Sequence, residues 1–337
     1  MKILYGVQYL RACAALAVVF FHAAEKTGHH FSIGAAGVDV FFVISGFIMW
    51  VISDRGRPTP GRFLLERALR VVPAYWLATA VMIAGAVLGL FPNLVITLQH
   101  VFASLFFIPA RSPSNGELWP VLVQGWTLNY EMFFYTVFAL SLFLKHNVRL
   151  VAVALVFAML VLVGALSDFE DPFFLTYTRP IILEFVIGMV IGEVWLKGRM
   201  PGPNMGYALI AIAISGFSVL QIFKLPFSEF SCGPLAAMLV TGTLSLEAAG
   251  RVRPLRVPAF LGDASYSIYL WHAFAISVIA KAAATIALAP GVVFVMAVSG
   301  GVVVGSLAYL LIEQPLVKRL RLSKQATGPS TIPAKQV

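Results

Sequence analysis

The sequence predicts an all-α, polytopic membrane protein, a helical bundle of about ten transmembrane helices with both termini in the cytoplasm. Three observations lead there. Of the residues, 60% are hydrophobic and only 12% are charged, about half the charged share of a soluble domain. Apolar runs of spanning length recur along nearly the whole 337-residue chain. Basic residues gather in alternate connections, as the positive-inside rule requires.

The runs lie at 5–24, 35–53, 71–91, 121–144, 148–167, 178–196, 204–222, 232–250, 260–284 and 291–312. The first is read as a retained span and not a cleaved signal, because only Lys2 precedes it and Arg11 interrupts its apolar stretch. After every second span comes a basic cluster: Arg55 to Arg70, Lys145 and Arg149, Lys197 and Arg199, Arg251 to Arg256, then Lys318 to Lys324. The intervening loops hold Glu25, Asp168, Glu170, Asp171 and Glu229 and few bases. Counting segment 94–110 as a span would place the Asp168–Asp171 loop inside. That segment is therefore read as re-entrant or interfacial, on the outer side. Residues 1–322 form one transmembrane domain, and the polar stretch 323–337, with Pro329 and Pro333, is expected to be a disordered cytoplasmic tail.

Several classes of function fall away. The net charge of +9 follows topology, and no nucleic-acid motif accompanies it. Cys13 and Cys232 make neither a disulfide framework nor a metal spacing. The six histidines show no ligand spacing, so no metal is expected.

The chemistry must lie with the ionisable groups inside the spans. Arg11 and His22 share the first span. Their offset corresponds to about 16 Å of helix rise and about 20° of rotation, so both point from one face at different depths. A charged Arg at mid-bilayer costs about 2.5–3.5 kcal/mol on insertion scales, so such a pair should look into a protein-lined or wet cavity. Asp39 enters the second span near the depth at which His22 leaves the first. It either orients an imidazole or is a helix-start carboxylate stabilised by the macrodipole. Ser45 follows on the same span, and Gly37 and Gly46 are read as permitting close helix packing.

Arg67 and Arg70, in what reads as a cytoplasmic loop, are spaced to share a helical face. Paired guanidiniums suit phosphate or pyrophosphate, and equally the headgroups of anionic lipids. Glu131, with Asn129 and Tyr135 nearby, is an intramembrane carboxylate and a functional candidate by default. Glu184 is expected to form a salt bridge. Ser265, Tyr269 and His272, with Tyr266 beside them, form a polar stripe that either bonds neighbouring helices or lines a cavity.

Taken in order, these segments resemble the membrane-bound acyltransferase family 3, bacterial inner-membrane enzymes that transfer acyl groups to surface polysaccharides. The resemblance is carried by Arg11-x10-His22, Gly37-Val-Asp39-Val-Phe-Phe-Val-Ile-Ser45-Gly46-Phe47 and Arg67-x-x-Arg70 with Pro73 and Tyr75. Trp126-Thr-Leu-x-x-Glu131, Ser265-Tyr266-x-x-Tyr269-Leu-x-His272 and Glu313-x-Pro315 complete it. Together the motifs cover nearly the whole chain, although each alone is weak. Thr127 stands where the family usually has Ser and keeps the hydroxyl. The chain is read without an appended esterase-like domain, as in the short, rhizobial exopolysaccharide-modifying branch.

The resemblance implies acetyl-CoA as acyl donor from the cytoplasm, docked by Arg67 and Arg70. The acceptor it implies is a glycan hydroxyl at the outer face, free or lipid-linked. His22 is then the general base, oriented by Asp39 or Glu131, with Arg11 in the same cavity; Ser45, Ser265, Tyr266, Tyr269 and His272 are cavity or substrate residues. The implied partners are the bilayer, the glycan and polysaccharide-synthesis machinery. Two other readings remain at this level. A polysaccharide-precursor transporter or flippase would show repeat symmetry and interrupted helices, and the sequence shows neither. A non-catalytic scaffold would leave the intramembrane charges without a task.

Overall fold

A computed structural model describes residues 3–319; their regular elements are all helices, with no strand among the described residues. In chain order the helices are α1 (Tyr5–Thr27), α2 (Gly37–Gly56), α3 (Pro60–Val87), α4 (Leu98–Leu105), α5 (Gly125–Ser141), α6 (His146–Ala165) and α7 (Pro172–Tyr177). They continue with α8 (Leu183–Leu196), α9 (Pro203–Ile222), α10 (Glu229–Ala248), α11 (Arg256–Asp263), α12 (Ser265–Thr285) and α13 (Pro290–Ala308). A π turn, Tyr309–Glu313, follows α13. The tail expected at 323–337 lies outside the described residues.

Local chemistry sets the boundaries. Proline opens α3, α7, α9 and α13, where its missing N–H costs nothing. Ser228 and Ser231 form a capping box at α10, and Asp171 accepts the Phe173 N–H at α7. Gly28 closes α1 at a φ of 76°, a left-handed conformation that suits glycine.

Seven of the described helical stretches are long and apolar enough to cross a bilayer: Tyr5–Thr27, Ser32–Gly56, Pro60–Val87, His146–Ala165, Pro203–Ile222, Ser265–Thr285 and Pro290–Arg319. The outward side of α6 shows why lipid is the solvent. Leu155, Met159 and Val163, spaced by four along it, are exposed, while Val153 and Phe157 are buried. A helix apolar on both its inner and outer faces belongs in a bilayer. The chain is thus a multi-pass membrane protein.

Two expectations change. Arg67 and Arg70 lie not in a loop but within α3, which begins at Pro60. An i,i+4 ion pair from Arg62 to Glu66 at 2.9 Å supports its first turns. The run expected at 260–284 is divided at Ala264 into α11 and α12. Segment 94–110 contains only the eight-residue α4, a rise of about 12 Å and too short to span.

The chain forms two compact units, with the division inside α2: one holds the chain up to Phe41 and from Arg199 onward, the other Phe42–Gly198. In the first, α1 packs among α10, α11, α12 and α13, and α9 packs on α10. Small residues set its core: Ala15, Val19 and Ala23 of α1 meet Ala264, Ile268, Ile276 and Ala297. A Cβ at Gly37 would strike the Ala14 carbonyl, and one at Gly262 the Gln8 carbonyl. Glu247 accepts the Gly6 N–H at the start of α1, and Gln221 accepts from Ser32 and Ile33 in the turn that leads into α2. Cys232 is buried beside Ala36 and Leu220, as a small core residue.

In the second unit α2 and α8 touch backbone to backbone. A Cβ at Gly46 would strike the Phe185 carbonyl, and one at Gly188 the Val43 carbonyl. That is the packing role expected of Gly46. Phe134 stacks on Phe185 at 4.4 Å. At one end of this unit Glu193 accepts from Trp50 Nε1 at 3.0 Å and pairs with Lys197 at 2.8 Å.

Candidate functional site

Each unit brings one group of predicted residues together. In the first, His22 of α1 and His272 of α12 stack, with ring centroids 5.2 Å apart and planes inclined by 27°. The helices can meet there because α13 offers Gly301, whose absent Cβ would lie 3.2 Å from Val19 and 3.3 Å from the His272 Cβ. Phe21 packs beside His22 at 4.8 Å. His272 is fully buried, while the side chain of His22 is 34% exposed. One imidazole is therefore sealed in protein and the other reachable.

The hydrogen bonds fix the tautomers. Nδ1 of His272 lies 3.1 Å from the Ile268 carbonyl. A carbonyl can only accept, so Nδ1 carries the proton and Nε2 is the bare nitrogen. That Nε2 is buried and has no hydrogen-bond partner. Nδ1 of His22 lies 3.0 Å from Glu25 Oε2. By the same argument its bare nitrogen is Nε2 as well.

The carboxylate hydrogen bonded to His22 Nδ1 is thus Glu25, an acid to which the sequence reading gave no role beside the orienting candidates Asp39 and Glu131. The physical reason is local: residues three apart on a helix share a face. Glu25 was read as a loop acid because the first span seemed to end at residue 24, whereas α1 runs to Thr27. An acidic residue three after the histidine was the signal that could have found it. Arg11 is buried and donates to Gln8 Oε1 at 3.3 Å. Asp39 is buried in the first turn of α2, where the helix dipole favours a carboxylate. Of the α12 stripe, Ser265, Tyr269 and His272 are buried and Tyr266 half-buried. Tyr269 packs on Phe41 and His272, each at 6.1 Å. Ser267, which the sequence reading passed over, donates to Glu313 of the π turn.

The second unit gathers Ser45 of α2, Glu131 and Tyr135 of α5, and Arg67 of α3. Tyr135 and Ser45 both donate to Glu131 Oε1, the latter at 3.3 Å. Arg67 lies within electrostatic reach of Glu131, Tyr135, Glu66 and Arg70. Ser45 and Tyr135 are buried, and Glu131, Arg67 and Arg70 half-buried. A carboxylate that accepts two hydroxyls beside a guanidinium is a compensated charge. Asn129 nearby on α5 keeps a buried Oδ1 with no partner.

Among the family models, one described as an acyltransferase domain matches residues 4–311. The exopolysaccharide production protein ExoZ of Rhizobium meliloti is 61% identical over 310 residues, covering 92% of this chain and 98% of that protein. The acyltransferase MdmB of Streptomyces mycarofaciens is 24% identical and covers 95% of this chain and 93% of its own length. A putative O-acetyltransferase of Staphylococcus aureus is 23% identical over 94% of this chain, which spans 58% of that protein. No solved structure matches. The chain, with paired histidines and charged residues set within apolar helices, therefore belongs to the family 3 acyltransferases and is an acyl-transferring enzyme.

Proposed function

We propose that this protein transfers an acetyl group from cytoplasmic acetyl-CoA to a hydroxyl of an exopolysaccharide, another surface glycan or its lipid-linked precursor. It does so from the bacterial inner membrane, through ten spans with both termini inside. The observation that carries the reading is His22: a half-exposed imidazole, backed by a buried second imidazole, with a defined bare nitrogen. The name of ExoZ, an exopolysaccharide production protein, supports the acceptor class. The basic connections support the orientation.

In this reading His22 Nε2 removes the proton of the acceptor hydroxyl as its oxygen attacks the thioester carbonyl. The carbon–sulfur bond breaks, the oxygen–carbon bond forms, and the imidazolium returns its proton to the leaving thiolate. Arg67 and Arg70 hold the phosphates of CoA through charge-assisted bonds. Arg11, Asp39, Ser265, Tyr266, Tyr269 and His272 serve as polar or substrate-lining groups in the first unit, and Ser45 and Glu131 in the second. The bilayer, the glycan and the polysaccharide-synthesis machinery are its partners.

The test is the acyl content of the surface polysaccharide in a deletion strain complemented with wild type or His22→Ala. The expected result is loss of O-acetyl groups in the deletion, restored by wild type only. Acetylation that persists with a folded His22→Ala variant removes His22 from the chemistry. Unchanged acetylation in the deletion, with altered polymer export, replaces the reading with a transporter.

A further inference from the structure

The half-exposed imidazole of His22 is held from two directions. His272 lies under one face of the ring, itself immobilised by the Ile268 carbonyl and by the close approach of Gly301. Glu25 Oε2 accepts a hydrogen bond from Nδ1 at 3.0 Å. We infer that Glu25 is the positioning carboxylate of the acyl-transfer site: it acts through His22, fixing which nitrogen meets the acceptor and stabilising the imidazolium that forms when the acceptor proton is taken. The inference rests on the reading of His22 as the base.

Three physical points support it. Without a partner at Nδ1, a neutral imidazole divides itself between two tautomers, and only the Nδ1–H form leaves Nε2 basic. A carboxylate at Nδ1 removes the wrong tautomer and offsets the positive charge of the transition state, the service an acid performs in hydrolase triads. Second, the geometry is built into one rigid element. His22 and Glu25 are three residues apart on α1, which continues past both to Thr27, so no loop motion is needed to hold the pair. Third, stability is a poor explanation for the contact. The Glu25 side chain is 55% exposed, and exposed pairs of this kind add little to folding. The charged and titratable neighbours that act on this pair are Lys26, on the same helix, and His272 from α12. Neither competes for Nδ1: a lysine ammonium is only a donor, and the His272 ring is stacked, not in line.

The chemistry balances without a further reagent. The acceptor proton passes to His22 Nε2 and then to the CoA thiolate, while Glu25 keeps its charge throughout. Glu25 therefore remains a hydrogen-bond acceptor from the start of the reaction to its end.

The experiment uses the purified full-length protein in lipid nanodiscs. Acetyl-CoA is the donor, and the unacetylated polysaccharide of the deletion strain is the acceptor. Wild type, Glu25→Gln, Glu25→Asp and His22→Ala are compared for kcat, for both KM values and for thermal midpoint. Glu25→Gln, which no longer selects the Nδ1–H tautomer, is expected to lower kcat about 100-fold with both KM values within about threefold of wild type. Its thermal midpoint should not move, and Glu25→Asp should recover at least about a tenth of the wild-type rate by restoring the carboxylate. Two results overturn the proposal while leaving the function standing: Glu25→Gln as fast as wild type where His22→Ala is inactive, or Glu25→Gln and Glu25→Asp equally slow with a lowered thermal midpoint. Wild type that transfers no acetyl group, or His22→Ala as active as wild type, overturns the reading of the site itself.

Discussion

At the scale of single residues the site depends on which lone pairs are left over. His22 and His272 each spend Nδ1 on a fixed acceptor, so both present Nε2. Their difference is access, since one ring is sealed and the other reachable. In the second unit, Glu131 is stabilised by hydroxyls, and removing one should be felt in the fold. Tyr135→Phe takes away a buried donor to Glu131 and is expected to destabilise by about 1–3 kcal/mol, read as a lower thermal midpoint. Ser45→Ala removes the longer bond at 3.3 Å and should cost less, about 0.5–1.5 kcal/mol in the same measurement. An equal or opposite order would mean that Glu131 takes its support elsewhere.

At the scale of elements the governing feature is how closely helix backbones approach. Gly46 and Gly188 let α2 and α8 meet carbonyl to Cα. Gly46→Ala or Gly188→Ala forces a Cβ into a carbonyl oxygen, a clash that rotamer changes cannot relieve. Each is expected to destabilise by about 1–3 kcal/mol, with the thermal midpoint as readout. Gly61→Ala, at a position with open space around it, serves as the control that should leave the midpoint in place. Helix α3 has 28 residues, about 42 Å of rise against a hydrocarbon core of about 30 Å. Its first turns, with Arg62 and Glu66, thus have length to reach beyond the apolar slab, where charged side chains are cheapest. The π turn at Tyr309–Glu313 widens the helix where Glu313 receives the Ser267 hydroxyl, a feature often found where function demands an odd register.

At the scale of the whole molecule the charge pattern dictates orientation. The positive-inside pattern predicts that a reporter inserted after Lys197 is cytoplasmic and one inserted after Asp168 is external. Alkaline phosphatase and green fluorescent protein fusions at the two sites should give opposite signals. The same sign at both would remove a span between them, and with it the ten-span topology. The acyltransferase match runs over residues 4–311 and so takes in helices of both compact units.

The sequence alone was enough for the membrane class, the helical content, the family and the residues worth testing. Those signals are local or compositional: hydropathy over about twenty residues, the placement of arginines, and short motifs along one helix. It also separated α4 from the spans, since counting that segment would have reversed the loop charges. Element ends were less legible. The apolar run of the third span hides a helix that begins at Pro60 through polar helix formers, and the run at 260–284 hides a break at Ala264. Only tertiary structure could decide which side chains meet. His272 lies far along the chain from His22, so no periodicity relates them; their stacking depends on α1 and α12 packing together. The Glu25 carboxylate on His22 was missed for the converse reason. Glu25 is three residues away on the same helix, and the contact was hidden by ending the apolar run at residue 24 when the helix continues through polar residues to its Gly28 cap.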